Sequence, residues 1–129
     1  KRNGEQIVIA GVEDPLMGRD VEEAMDEALE NIDLDLFTVL LSHRPEQFDA
    51  YVKKEIDLVM TGHAHGGQIR LPFIGGLVAP AQGMLPKYTA GIFDEQQTKM
   101  VVNRGLGNSL FPYRIFNLPE IYVIQLNKK

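Results

Sequence analysis

Short apolar runs alternate with amphipathic stretches along the first half of the chain. The runs are IVIAGV at 7–12, LFTVLL at 36–41 and LVM at 58–60. Continuous runs of this length, rich in aliphatic residues, are typical of strands buried on both faces of a parallel sheet. Parallel neighbours also need long crossover connections, and the intervening stretches are long enough to supply them. The pattern therefore predicts an α/β fold.

Two helices are predicted between these strands. The first extends over 21–32, where apolar residues share one face and acidic residues the other, and Asp20 is placed to cap it. The acidic face is interpreted as a solvated surface. The second helix extends over 46–56 and has Pro45 near its first turn, a position that proline favours. Each helix would serve as a crossover between parallel strands.

The second half of the chain has a different pattern. Residues 88–93 and 99–103 flank a polar turn and predict a β-hairpin, and 121–126 predicts a last strand. The stretch 70–86 carries no charge after Arg70 and is interrupted by glycine and proline. It predicts a long apolar loop that is a lid, a substrate wall, a membrane-facing patch or simply a cover packed over the fold.

Composition narrows the class of protein and the kind of partner. The chain has 129 residues, 44% hydrophobic and 24% charged, which suits one globular domain spanning 1–129. Its net charge of −5 argues against a nucleic-acid partner. No apolar run reaches transmembrane length. Because the first residue is Lys1 rather than methionine, we expect a piece of a longer product. The sequence therefore does not indicate the cellular compartment of the protein.

Histidines follow two of the predicted strands. Thr61 and Gly62 end the run at 58–60, and His63 and His65 follow them and precede two glycines, which let backbone approach a ligand closely. In extended backbone, alternate residues advance about 6.5 Å, with successive side chains on opposite faces, so an HxH pair suits two neighbouring ions. Two-metal sites hold their ions about 3.5–4 Å apart. A context of this kind favours metal ligation over a solvated surface histidine.

His43 follows the strand at 36–41 in the same way. Taken alone, it reads more readily as an ordinary core or surface histidine. However, the 20 positions from His43 to His63 leave room for one crossover helix between neighbouring parallel strands. The three imidazoles would then surround one crevice. With no cysteine in the chain, a metal must be held by histidine, carboxylate, amide or water, and imidazole suits zinc, iron, manganese or nickel.

Other candidates have two open interpretations each. Glu13 and Asp14 end a strand and could bind metal, but a turn and a helix cap are the more ordinary roles. Arg70 could pair with a phosphate oxygen or lie on the surface. The glycine pair at 105 and 107 is weak support for nucleotide binding, because the fuller dinucleotide motif is absent.

Taken together, these motifs resemble the calcineurin-like metallophosphoesterases, within the bacterial branch whose motif extends to GHxHGGQ. The combination of GHxH with an upstream SHxP at this distance carries the resemblance. The matching segments are GVEDP at 11–15, LLSHRPE at 40–46, DLVMTGHAHGGQIRLP at 57–72, LVAPAQG at 77–83, and RGLGNS with YRIFNLPEI near the end.

The resemblance implies a fold and a metal centre. The fold would be a two-sheet β sandwich flanked by helices, of which this chain would be the carboxyl-terminal half. His43 and His63 would bind one divalent ion of a dinuclear centre and His65 the other. The family's amino-terminal motifs, Asp-x-His, Gly-Asp-x-x-Asp and Gly-Asn-His, are not in this chain. We therefore expect the isolated chain to be inactive.

The expected function of the full protein is hydrolysis of a phosphoester or phosphodiester by metal-activated water. Gln68 and Arg70 are candidates for substrate contact. The apolar loop, together with the branch resemblance, suggests a lipid-linked or membrane-proximal substrate. The alternative is a noncatalytic metal-binding or partner-docking module with the same fold. Half of a sandwich would expose an apolar face, so we also expect the isolated chain to self-associate.

Overall fold

The computed structural model describes residues 6–15, 18–109 and 112–127. The strands are β1 (Val8–Gly11), β2 (Thr38–Leu41), β3 (Leu58–Thr61), β4 (Arg70–Leu71), β5 (Gly75–Gly76), β6 (Val78–Ala79), β7 (Gly83–Met84), β8 (Gly91–Glu95) and β9 (Thr98–Val102). The helices are α1 (Val21–Ala28) and α2 (Phe48–Lys53), and 3₁₀ turns span Pro45–Gln47 and His65–Gly67.

Five strands form the main sheet, in the order β1-β2-β3-β9-β8. The first four are mutually parallel, and β8 pairs antiparallel with β9 at one edge. The predicted α/β architecture is confirmed, and so is the expectation that the strands before His43 and His63 are parallel neighbours, since Leu40 pairs with Val59. The carboxyl ends of β1, β2 and β3 therefore meet at one edge.

Both helices contribute to the core on one face of this sheet. Met25 of α1 and Tyr51 of α2 are fully buried with Leu40, Val59 and Met100 of the sheet. These long apolar side chains interlock between the helices and the strands. We call this side of the sheet the helix-covered face. It holds the larger of the two hydrophobic clusters.

Both helices are shorter than the apolar spacing predicts. The Asp20 side chain caps α1 by accepting from the Glu22 amide at 2.7 Å, as expected. However, α1 ends at Ala28, before Asn31 takes a left-handed backbone with φ 63°. Similarly, the second helix starts as a 3₁₀ turn and ends before Glu55, whose φ is 56°. The apolar spacing continues past each end because the turn residues still pack on the sheet.

The opposite face of the sheet, called here the open face, packs against the carboxyl-terminal segment in the part of the chain that the structure describes. Tyr122 and Ile124 pack against a small cluster of Val39, Leu58 and Val101. The predicted strand at 121–126 is wrong, because 121–127 forms no strand. The alternating pattern that suggested a strand arises because an extended segment lying across a sheet also turns alternate side chains toward it.

The predicted hairpin is confirmed as β8 and β9, with Phe93 opposite Met100, but its strands span 91–95 and 98–102 instead of 88–93 and 99–103, and the turn is shorter than predicted. In contrast, the predicted loop at 70–86 is organised as two short hairpins, β4–β5 and β6–β7, which we call the apolar hairpins. The turns at 72–74 and 80–82 contain no glycine, and each reverses the chain through a residue with left-handed backbone, Phe73 with φ 67° and Ala81 with φ 61°. Within the described parts of the chain, no helix is long and apolar enough to cross a membrane.

Candidate metal site

The candidate site lies at the sheet edge where β1, β2 and β3 end. One residue separates His43 from the end of β2, and one residue separates His63 from the end of β3. The structure places their imidazole rings side by side, with centroids 4.3 Å apart and planes inclined by 52°. Parallel pairing of β2 with β3 produces this proximity, because it brings equivalent ends of both strands to the same place.

Arg44 connects all three strand ends. Its side chain is only 5% exposed. Nε donates to Asp14 Oδ1 at 2.9 Å, Nη2 forms an ion pair with the same oxygen at 2.8 Å, and Nη1 lies 3.0 Å from His63 Nε2. Glu46 Oε1 is 3.5 Å from the same Nη1. Because a guanidinium can only donate, His63 Nε2 accepts here, and the neutral ring carries its proton on Nδ1.

Burial and nearby positive charge keep the His63 ring neutral. The pKa of His63 is lowered to about 4, first by burial and then by the Arg44 guanidinium and by His43. Asp14 acts in the opposite direction, since its carboxylate favours a charged ring. The same carboxylate lies 3.6 Å from His43 Nε2. Neutral imidazole is the form that binds metal ions.

His65 has a different set of contacts. It sits in the 3₁₀ turn with φ 46°, and its ring hydrogen-bonds to the backbone of Gly107. Its pKa is lowered by burial first and then by Arg114. In the described residues, no three histidine or acidic side chains form a group that could hold a metal ion. The expected cluster of three imidazoles around one crevice is therefore not formed by this chain alone.

The GHAHGGQ loop is held by Asn117, a residue that is only 2% exposed. Its Nδ2 donates to the carbonyls of His65 and Gln68 at 2.6 and 3.2 Å. Gly66 and Gly67 have φ of 67° and 76°, and a Cβ on Gly66 would overlap the Asn117 side chain. The glycines are thus required by a left-handed backbone and by close packing.

Gln68 and Arg70 lie where this loop joins the first apolar hairpin. Arg70 Nη1 donates to the Gly66 carbonyl at 2.9 Å and contacts Thr89 Oγ1 at 3.3 Å. Burial and Arg104 lower the pKa of Arg70. Gln68 has φ 55° and is half-buried. Gln68 supports the loop with its backbone carbonyl, which accepts from Asn117. Arg70 supports the loop with its side chain, which still has donors beyond those two contacts.

Sequence comparison identifies proteins that share most of this chain. It is 36% identical over 124 residues to the uncharacterized metallophosphoesterase YkuE of Bacillus subtilis, covering 96% of this chain and 42% of YkuE. It is 32% identical over 88 residues to the phosphodiesterase YaeI of Escherichia coli, covering 68% and 32%. The chain belongs to the metallophosphoesterases.

A further relative is the UDP-2,3-diacylglucosamine pyrophosphatase LpxG of Chlamydia muridarum, 33% identical over 105 residues and covering 77% of this chain and 32% of LpxG. The chain thus spans less than half the length of each of these three relatives. This coverage is consistent with the carboxyl-terminal half of a metallophosphoesterase, a family whose name implies divalent metal ions. No protein-family model and no solved structure matches the chain.

The residues at the strand ends fit part of a metal site. His43, His63 and Asp14 offer imidazole and carboxylate donors of the kind that zinc, iron and manganese accept. Glu46 Oε2 is buried and has no hydrogen-bond partner among the described residues, so an acceptor is still available there. However, Arg44 already uses the lone pair of His63 Nε2. Metal binding at His63 through Nε2 therefore requires that Arg44 release this nitrogen.

Proposed function

We propose that the protein to which this chain belongs is a metal-dependent phosphoester hydrolase. This chain would supply His43 and His63 to one divalent ion and His65 to a second. The supporting observation is the adjacency of the His43 and His63 rings at neighbouring strand ends, with His63 held neutral. Sequence similarity to metallophosphoesterases over nearly the whole chain supports metal binding as the role of these adjacent histidines.

Bound divalent ions, of manganese, zinc, iron or nickel, would lower the pKa of a water and stabilise charge on the phosphoryl oxygens. This chain's own residues prepare the site. Arg44 pairs with the Asp14 carboxylate and, before metal binds, lies against His63 Nε2. Asn117 fixes the loop between His65 and Gln68. Gln68 and the remaining donors of Arg70 would contact the substrate phosphate.

The substrate we propose is a phosphoester, and more specifically a lipid-linked one. Two relatives support this choice by name, since YaeI is called a phosphodiesterase and LpxG a pyrophosphatase of a diacylated sugar nucleotide. The apolar hairpins begin at Arg70, directly after the loop that carries His63 and His65. An apolar surface next to a phosphate site suits a substrate with acyl chains. The full protein would accordingly work near a membrane.

The open face of the sheet would receive a second layer in the full protein. We infer that residues 1–129 form one domain portion, the carboxyl-terminal part of a two-sheet sandwich. Alone, the chain lacks the family's amino-terminal motifs, so we expect it to be inactive. Without its second layer it would self-associate through the exposed apolar face. A particle mass by light scattering that stays monomeric at all concentrations would contradict that expectation.

The proposal is tested by measuring bound metal after purification without chelator. We expect metal on the wild-type chain, loss of that metal in His63→Ala, and no change in a control variant, Gln97→Ala, in the exposed turn between β8 and β9. Equal metal in all three proteins would contradict the assignment of His63. Absence of metal from every protein would mean that the chain alone does not form a site.

The full-length protein decides between an enzyme and a noncatalytic module. An enzyme should hydrolyse a phosphodiester such as bis(p-nitrophenyl) phosphate when metal is added, and His63→Ala should abolish turnover. Metal binding through these histidines without hydrolysis would instead favour the metal-binding module. We retain the noncatalytic module as an alternative because the described part of this chain contains no group of three metal ligands.

A further inference from the structure

The apolar hairpins expose large apolar side chains. Phe73, near the turn of the first hairpin, has 109% relative exposure, and Met84 on the second has 71%. Contiguous exposed apolar patches mark surfaces that interact with another molecule. The exposed large apolar side chains of these hairpins are Leu71, Phe73, Ile74, Val78, Met84 and Leu85.

Phe73 combines a fully exposed ring with a left-handed backbone at the turn of the first hairpin. Phe73 has φ of 67°, a left-handed conformation that is unfavourable for a bulky L residue. Such a conformation persists only where the surrounding structure imposes it, and such positions cluster at functional surfaces. A fully exposed aromatic ring is a feature that packing among the described residues does not explain.

Charge distinguishes this surface from the rest of the chain. No residue from 71 to 86 is charged, although 24% of the whole chain is charged and its net charge is −5. Arg70 and Lys87 flank the segment. Carboxylates would be repelled by anionic headgroups, while cations beside an apolar surface suit the level of the lipid phosphates. The charge distribution therefore favours a lipid surface as the partner.

The hairpin backbone is suited to an apolar environment, and it is connected to the site. Leu77 N donates to Ile69 O at 2.8 Å and closes the base of the first hairpin, and Leu85 N donates to Leu77 O at 2.8 Å and closes the base of the second. Internal pairing of this kind limits the cost of placing polar backbone in lipid. Gly76 packs so closely on Gly67 that a Cβ would lie 2.7 Å from the Gly67 Cα.

We propose that the apolar hairpins dock onto a lipid bilayer surface and thereby hold the His43–His63 edge of the sheet close to lipid headgroups. The idea that the bilayer supplies substrate to that edge rests on the proposed function. Docking itself requires only the hairpins, so it can be measured with no hydrolysis at all. Failure of docking and failure of catalysis are therefore separate results.

The test is sedimentation of this chain with vesicles of phosphatidylcholine containing a minority of phosphatidylglycerol. We expect the wild type to sediment with the vesicles. Phe73→Asp and Met84→Asp should each weaken partitioning by about tenfold, because each places a carboxylate where an apolar side chain enters the lipid. Val123→Asp is the matched control, since Val123 is 93% exposed but lies in the carboxyl-terminal segment.

Three results would overturn the proposal. The first is a wild-type chain that stays in the supernatant with these vesicles. The second is an equal loss of binding in Val123→Asp and Phe73→Asp, because the hairpins would then have no special role. The third is loss of self-association, measured by light scattering, in Phe73→Asp and Met84→Asp with vesicle binding unchanged, which would show that the hairpins bind a second copy instead. Circular dichroism of each variant confirms that it is folded.

Discussion

The two faces of the main sheet carry similar residues in very different surroundings. On the helix-covered face, Leu40 and Val59 are completely buried. On the open face, the neighbours Leu41 and Met60 are 46% and 37% exposed, and Ile9 at the sheet edge is 65% exposed. Strands of a parallel sheet are normally apolar on both faces because both are covered. Both faces of the sheet thus carry apolar side chains, and among the described residues the helices pack on one face and the carboxyl-terminal segment on the other.

The largest expected effect comes from shortening one leucine on each face. Leu40→Ala should lower the free energy of unfolding by about 2–5 kcal/mol, because it leaves a cavity beneath the helices. Leu41→Ala should lower it by less than about 1 kcal/mol, since a half-exposed side chain loses little burial. Urea unfolding monitored by circular dichroism measures both.

These two variants are matched, because they remove the same atoms from adjacent positions of β2. Equal losses of stability would contradict the comparison of the two faces. Such a result would mean that the open face is covered in solution, and self-association would be the first explanation to examine. Repeating the measurement at several protein concentrations separates the two cases.

The next effect concerns a hydroxyl buried on the helix-covered face. Tyr51 Oη donates to the Arg44 carbonyl and contacts Ser42 Oγ, both at 2.7 Å, and burial raises the pKa of Tyr51 to about 12. The folded state therefore favours the neutral phenol. That contribution is complete below pH 10, the unfolded pKa, and is lost as pH rises from about 10 through 12, by about 3 kcal/mol in all.

Tyr51→Phe tests this contribution directly. At neutral pH the variant should be less stable by about 1 kcal/mol because two hydrogen bonds are lost. Above pH 10 its stability should fall less steeply than that of the wild type. The control is Tyr113→Phe, since Tyr113 is 65% exposed. Parallel stability curves for the wild type and Tyr51→Phe between pH 10 and 12 would contradict a buried neutral phenol.

The sequence predicts the sheet well because its signals are local and periodic. Apolar runs before His43 and His63 identify β2 and β3, and the crossover length identifies them as parallel neighbours. The adjacency of the two histidines follows from those two facts. The predicted strand at 121–126 fails because hydrophobic alternation reports which side chains face a surface, and not whether the backbone pairs.

The side chains that organise the site are harder to find in the sequence. Arg44 reads as an ordinary charged residue next to a proline, and Asn117 as a loop residue 52 positions from His65. Their roles depend on tertiary contacts that no local pattern encodes. The motif SHRP does contain one clue, because an arginine between a candidate ligand and a helix start lies at the carboxyl edge of the sheet, where it can meet the ends of neighbouring strands.

The smallest effect concerns the segment on the open face. Tyr122→Ala should lower the free energy of unfolding by about 1 kcal/mol, because Tyr122 is only partly buried and 121–127 adds no strand hydrogen bonds. Val123→Ala is the control and should change stability by less than about 0.5 kcal/mol, since Val123 is 93% exposed. A loss in Tyr122→Ala as large as that in Leu40→Ala would show that this segment covers the open face as effectively as the helices cover theirs. The sheet would then need no second layer.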